Sequence, residues 1–312
     1  MLLTLTQKIF RPLLPGCARL ENQYDPQEIP SPAPLSVESG GIDYPRISII
    51  VPSYSQGHFI RNTLDSIINQ NYPNLELIVV DGGSEDGTVE VIKEYSEHIK
   101  WWVSEDDNGQ ASAINKGMEH ATGDILAWLN SDDCLMPGAL LKVASCFLAS
   151  SKTDVVYGHR VLINAAGMDI GKWIMPGHHH FLLTYADYIP QETMFWRSAL
   201  WQKTGAKIDE SFHFALDWEL IRRFIKADAK FQLIPVFLGQ FRLHDLQKTQ
   251  ANIESDGFRE MEIIRNNCKQ EFSNHIAMQN FYYRAQRVSL YYFLLKARLK
   301  ELLWRMKFIR IN

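Results

Sequence analysis

Two carboxylates stand side by side in Leu126-Ala127-Trp128-Leu129-Asn130-Ser131-Asp132-Asp133, directly after a short apolar run. Like charges repel, so such a pair near a protein interior needs a cation, a set of donors or a shared proton. A divalent metal is the simplest answer. Mg²⁺ and Mn²⁺ accept carboxylate oxygens and complete their shell with substrate phosphates, which points to a diphosphate-bearing ligand. The plainer alternative is that the pair caps the helix expected from Pro137 onward, or forms a solvated turn. Asp81 is the next chemical candidate, placed after the apolar run Leu75–Val80 and before Gly82-Gly83. It could accept a hydrogen bond from a base or ribose, although aspartate before glycine is also ordinary turn chemistry.

These residues need elements to hold them. Ile47-Ser48-Ile49-Ile50-Val51 reads as a strand ended by Pro52, with Ser53-Tyr54-Ser55-Gln56-Gly57 as a turn. Ile60, Leu64 and Ile67 recur at helical spacing before Pro73 stops the helix. Leu75–Val80 is a second strand and Val91, Ile92 and Tyr95 mark a second helix. Trp101-Trp102-Val103 is a third strand, and Asn108-Gly109-Gln110 opens a helix with Ala113, Ile114 and Gly117 on a close-packing face. Strands alternating with helices across short connections predict a parallel, three-layer α/β sheet with right-handed crossovers. Ligands bind outside the carboxyl ends of such strands, so Ser53, Asp81, Asp107, Asp132 and Asp133 should share one rim.

Composition narrows the class. The 312 residues, 46% hydrophobic with eight tryptophans, suit a globular chain of one large or two modest domains. A net charge of -4 gives no global reason to expect nucleic acid as a partner. Four cysteines without a CxxC or a zinc-like spacing fit a reducing, cytoplasmic location. No apolar run approaches the roughly 20 residues of a membrane span, and Met1–Pro15 has too short an apolar core for a signal peptide. The expectation is a soluble or peripherally bound protein. The turn Gly82–Gly87 lacks GxGxxG spacing and no GxxxxGK[ST] loop occurs, which counts against hydride transfer and phosphate-loop ATP hydrolysis.

Taken together, Ile49-Ile50-Val51-Pro52-Ser53-Tyr54, Val80-Asp81-Gly82-Gly83-Ser84-Glu85-Asp86-Gly87-Thr88, Gly109-Gln110 with Asn115-Lys116-Gly117, Thr122-Gly123-Asp124 and Leu129-Asn130-Ser131-Asp132-Asp133 resemble family 2 glycosyltransferases. The resemblance is densest over Arg46–Pro137, thins out to about Thr249, and is strongest to bacterial enzymes that build O-antigen and other surface polysaccharides. It implies a GT-A fold, Rossmann-like, with a mainly parallel central sheet flanked by helices. It further implies a nucleoside-diphosphate sugar donor (UDP, GDP or dTDP), Mn²⁺ or Mg²⁺, and inversion at the anomeric carbon.

Carried over position by position, Pro52, Ser53 and Tyr54 match the segment lining the nucleotide, and Asp81 the aspartate that reads the base. Asp107 and Gln110 match further donor contacts. Asp133 matches the metal ligand, Asp132 a ribose or sugar contact, and Ser131 stands where direct coordination is not expected. Gln191, in Pro190-Gln191-Glu192-Thr193, matches a donor-sugar or acceptor contact, with Glu192 as the reserve. Asp217 opens a helix whose dipole alone would explain an acid there; the resemblance makes it the catalytic base, ahead of Arg222-Arg223. His244 matches a histidine that reaches the metal or diphosphate, against the plain reading of a surface imidazole. His178-His179-His180 cannot all face one metal and reads as a solvated or acceptor-lining loop.

The resulting organisation is an arm or linker at 1–45, a GT-A domain at 46–250 and a helical, basic extension at 251–312. Phe281–Asn312 holds eight Lys or Arg against Glu301 alone, with Leu295, Leu299, Leu302, Met306 and Ile309 at helical spacing. That stripe suits packing on protein, or contact with the anionic inner face of the cytoplasmic membrane beside a lipid-linked acceptor. Two other functions compete: a non-catalytic nucleotide-sugar-binding scaffold, and a sugar nucleotidyltransferase, which should carry a basic glycine-rich phosphate loop near its first strand.

Overall fold

The structure, a computed structural model, describes residues 18–21, 26, 28, 43–175, 177–180, 183, 187–245 and 256–269. The order of its elements is β1 (Ala18–Glu21), β2 (Ile47–Ser53), α1 (Ile60–Ile68), β3 (Leu75–Asp81), α2 (Thr88–Glu94), β4 (Trp101–Ser104), α3 (Gln110–Glu119), β5 (Ile125–Trp128), β6 (Cys134–Leu135) and α4 (Ala139–Ala149). There follow β7 (Val155–Ile163), β8 (Asp169–Ile174), a 3₁₀ turn (Gln191–Thr193), β9 (Phe195–Arg197), α5 (Ser198–Lys203), α6 (Leu216–Lys226), β10 (Phe231–Arg242) and α7 (Phe258–Lys269).

The apolar runs of β2, β3 and β5 are buried on both faces, as a parallel sheet between two helical layers requires. Side chains alternate strictly. Ile49, Val51, Leu77 and Val79 face the layer containing α1, α2 and α4, whereas Ile50, Ile78, Val80 and Trp128 face α3, α5, α6 and α7. Each such buried aliphatic side chain stabilises the fold by roughly 1.5–3 kcal/mol relative to exposure. Gly117 lets α3 lie directly on the sheet: a Cβ there would sit 2.6 Å from Ile50 Cγ2.

Strand order is β1-β8-β7-β9-β5-β2-β3-β4, with β10 joining β7 in parallel and β6 in antiparallel fashion. The β5-β2-β3-β4 portion is parallel throughout, so its four carboxyl ends open on one rim. Beyond β5 the sheet is mixed, because β9 runs antiparallel to both β5 and β7.

Three expectations shift. The first strand does not end at Pro52 but runs through Ser53, because pairing with β5 stops at Ile50↔Trp128 and Pro52 lacks a partner on that side that needs an N–H. The segment read as an arm contributes β1, which pairs with β8. The Asp132-Asp133 pair does not cap α4, which starts after Gly138 with no side-chain cap. β7 and β8 form a hairpin closed by Asn164 and Met168. The extension read as 251–312 is described over α7, whose Ile264 lies in the same core cluster as α6; the basic stripe of 281–312 lies outside the described residues.

Candidate active site

Each parallel strand delivers a polar residue to the rim. Ser53 ends β2 and is buried, with its hydroxyl unpartnered. Tyr54 follows and is 67% exposed at the mouth. Asp81 ends β3 fully buried; its oxygens accept from the Gly83 and Ser84 amides and from the Ser84 and Ser104 hydroxyls. Those bonds shape the turn, with Gly83 at φ +81 and no room for a Cβ beside Asp106. A contact from Asp81 to a base therefore requires one of its present donors to be exchanged. Asp107 lies over Gly82 and accepts the Gly109 amide at 2.7 Å. Gln110 donates to Asn130 Oδ1 at 2.7 Å, tying α3 to the carboxylate turn.

That turn is gripped from two sides. The Thr63 hydroxyl of α1 reaches the carbonyls of Ser131 and Asp133, at 2.9 and 2.7 Å. Arg242, 1% exposed at the end of β10, donates its Nε to the Asp132 carbonyl and its backbone amide to Asp133 Oδ1 at 2.9 Å. Its Nη1 also reaches the carbonyls of Asn164 and Ala165, and its guanidinium covers the Phe59 ring. Arginine suits this role because one planar fork can satisfy several acceptors at once.

His244 lies two residues on, its ring 4.6 Å from that of Phe59. The resemblance has it reach the metal, for which Asp133 is the expected ligand, or the diphosphate; in the structure its Nε2 lies 3.0 Å from Asp132 Oδ2. Asp133 is instead 1% exposed, and burial, then the neighbouring Asp132 and Glu192, pushes its carboxyl above the ordinary range. The Nδ1 of His244 is buried without a partner among the described residues. The Asp132 carboxylate and the His244 imidazole, 3.0 Å apart, are the kinds of donor that would hold a divalent ion. Among the described residues no group of three or more His, Cys, Asp or Glu gathers for a metal, so the remaining ligands would come from phosphate and water.

The second half closes the opposite wall. Gln191 donates to the Trp128 carbonyl at 2.6 Å while its Oε1 is buried without a partner among the described residues. Glu192 is 2% exposed and forks onto Arg160, Nε to Oε1 at 2.7 Å and Nη2 to Oε2. Arg160 is stacked over Phe241 and Trp173. The charges of this pair act on both Asp133 and Asp217, so it lies near both the carboxylate turn and the first turn of α6. Asp217 is partly exposed there, and burial lifts its carboxyl to about 6 despite an amide bond from Trp218. Burial, then the charge of Asp217, raises the carboxyl of Asp187 above its ordinary range.

Sequence reading missed Arg160 and Arg242 as site residues and kept Glu192 only in reserve. The available signal was a cation inside an otherwise apolar strand, which must be paired if the strand is buried. Replacing Arg160 with methionine is expected to destabilise the fold by about 3–5 kcal/mol by stranding Glu192. Adding Glu192→Leu should recover most of that loss in urea unfolding; a single variant within about 1 kcal/mol of wild type would mean Glu192 finds another partner. His178, read as part of a solvated loop, packs flat on Phe231 at 4.5 Å, and burial lowers it to about 4.

The Glycosyl transferase family 2 model matches residues 48–243. An uncharacterized glycosyltransferase of Rickettsia typhi is 28% identical over 217 residues, 66% of this chain and 67% of that protein. The UDP-Glc:alpha-D-GlcNAc-diphosphoundecaprenol beta-1,3-glucosyltransferase WfgD of Escherichia coli is 34% identical over 42% of this chain and 51% of its own length. Of three further relatives the chain spans only 13 to 22%. Among solved structures, the mannosyltransferase of Pyrobaculum calidifontis in complex with GDP-Man and Mn²⁺ superposes with a TM-score of 0.56 at 17% identity, over 86% of this chain and 81% of that one. S. aureus TarS 1–349 in complex with UDP-GlcNAc gives 0.55 at 19% identity, over 66% and 61%.

Proposed function

The chain belongs to glycosyl transferase family 2 and has its GT-A fold, and from that premise we propose an inverting, metal-dependent enzyme of surface-polysaccharide synthesis. It moves a sugar from a nucleoside-diphosphate donor to a hydroxyl of a glycan or lipid-linked glycan. The observation that carries this reading is the Asp132/His244 pair fit for a diphosphate-bound ion, together with a partly exposed Asp217, near the Arg160–Glu192 pair, whose carboxyl burial lifts to about 6. A carboxyl shifted in this way is a candidate for acid–base work. The UDP-Glc donor in the name of WfgD and the UDP-GlcNAc and GDP-Man complexes of the structural neighbours support a nucleotide-sugar donor.

In this mechanism Ser53, Tyr54, Asp81, Asp107 and Gln110 line the nucleotide and ribose, and Gln191 offers its open Oε1 to a sugar hydroxyl. Asp217 takes the proton of the acceptor hydroxyl as that oxygen forms its bond to the anomeric carbon. The bond to the diphosphate oxygen breaks on the opposite face, so configuration inverts and no covalent enzyme intermediate forms. Mn²⁺ or Mg²⁺ bound by Asp132 and His244 would supply neutralisation of the departing diphosphate. The orphaned Nδ1 of His244 would carry the proton that leaves Nε2 free for the ion.

No helix among the described residues is long and apolar enough to cross a membrane. We assign the basic 281–312 segment a peripheral contact with the inner face of the cytoplasmic membrane, which suits a lipid-linked acceptor. Calorimetric titration of UDP-, GDP- and dTDP-sugars with and without Mn²⁺ tests the donor assignment. One nucleotide class should bind, and only with metal. Folded protein that binds none under either condition would favour the scaffold reading.

A further inference from the structure

Glu260 has no place in the reaction as described, yet it is a carboxylate 1% exposed. Its two oxygens accept three consecutive backbone amides, from His213, Phe214 and Ala215, each at 2.8 Å. Those residues immediately precede α6, whose second residue is Asp217. A helix start leaves amides without partners and carries a partial positive charge, normally met by a local side-chain cap. Here Ala215 offers none, and Glu260 of α7, 45 residues away in sequence, instead holds the three amides that lead into the helix.

α7 and the residue before it also pack against this part of the chain. Ile264 is buried in the core shared with α6, and the Arg265 guanidinium covers the ring of Trp218, the neighbour of Asp217. Gly257 approaches the Phe214 ring so closely that a Cβ would lie 3.1 Å from it. By contrast, the hydrogen bond on the Asp217 carboxylate comes from the adjacent Trp218 amide, which does not fix where the turn itself sits. Residue 260 lies outside the family-matched 48–243.

We propose that Glu260 is a positioning residue for Asp217: by fixing the 213–215 backbone it sets the height and direction from which the base meets the acceptor hydroxyl. Misplacing a catalytic group by about 1 Å can cost on the order of 100-fold in rate. This inference rests on the reading of Asp217 as the base.

Turnover is read as nucleoside diphosphate released from UDP-glucose, UDP-GlcNAc or GDP-mannose with Mn²⁺ and water as acceptor, well below the melting temperature. Glu260→Gln keeps the shape but turns an NH₂ toward the amides. It is expected to lower kcat about 10- to 100-fold, leave the calorimetric donor affinity within about twofold, and speed amide exchange across 213–218. Ile264→Ala, on the same helix with the carboxylate intact, should lower stability while holding kcat within about twofold, as expected of a large-to-small core change. A Glu260→Gln enzyme with wild-type kcat, or one losing donor affinity in step with kcat, overturns the proposal. So does an Ile264→Ala enzyme with an equal kcat loss, since Glu260 would then be a stabilising contact only. Wild-type turnover by Asp217→Asn would instead remove the base reading itself. Loss in Asp217→Asn with none in Glu260→Gln sinks this proposal alone.

Discussion

Replacing Asp217 with asparagine is expected to lower kcat/KM by about 10²–10⁴-fold, the usual worth of a positioned general base, while donor affinity stays unchanged. Asparagine preserves the shape and can still accept the Trp218 amide through Oδ1. What it cannot do is take a proton. The wild-type profile carries a second signature. Burial holds the Asp217 carboxyl near 6, so kcat/KM should rise about tenfold per pH unit below that value and level off above it. In Asp217→Asn that acidic limb should vanish. The stability sign is opposite. A carboxyl raised above its unfolded value favours the fold while protonated, and that contribution is lost as pH climbs through about 6. Asp217→Asn should therefore melt higher than wild type at pH 8 and not at pH 3. A variant of unchanged rate, or an unchanged acidic limb, would move the base elsewhere, with Asp187, on which the Asp217 charge acts, the next candidate.

The second large effect belongs to the metal. Asp132→Ala or His244→Ala is expected to weaken Mn²⁺-dependent donor binding by at least about 100-fold, since even an outer-shell partner costs 10- to 100-fold. Asp133→Asn should act differently. That carboxylate is buried on the Arg242 amide and held by burial toward its neutral form, so an amide of the same shape should be tolerated in donor affinity. The comparison decides between the two aspartates. Should Asp133→Asn abolish Mn²⁺ dependence while Asp132→Ala keeps it, the assignment read from sequence would stand over the pairing seen in the fold.

Much of the architecture was legible because it is written locally. Ile47–Val51 and Leu75–Val80 are apolar runs with turn chemistry at their ends, and Pro73 and Gly109 mark element boundaries without reference to distant residues. Parallel topology then followed, and with it the shared rim. What depends on long-range register was not legible. β10 slips twice against β7, between Leu233 and Phe237 and again before Gly239, and counting residues cannot say that its end brings His244 to Asp132 rather than Asp133. The same limit hid β1, a four-residue strand whose partner lies over 150 residues away. Glu260 was beyond reach for a different reason: a carboxylate in an amphipathic helix looks solvated until the amides it meets are known.

The sheet changes character at the contact of β5 with β9, which amounts to two residue pairs, Ile125↔Arg197 and Leu126↔Trp196. Everything assigned to the nucleotide up to Gln110 lies on the parallel side of that join, and the proposed base with its α7 support lies in the chain that follows it. Such a boundary is a natural site of recombination. Evolution could trade one acceptor-recognising half for another while inheriting donor chemistry intact, provided the arriving half brings a residue to grip the Asp132-Asp133 turn, as Arg242 does here. A chimera spliced near Leu135 would be viable only if that grip travelled with the graft.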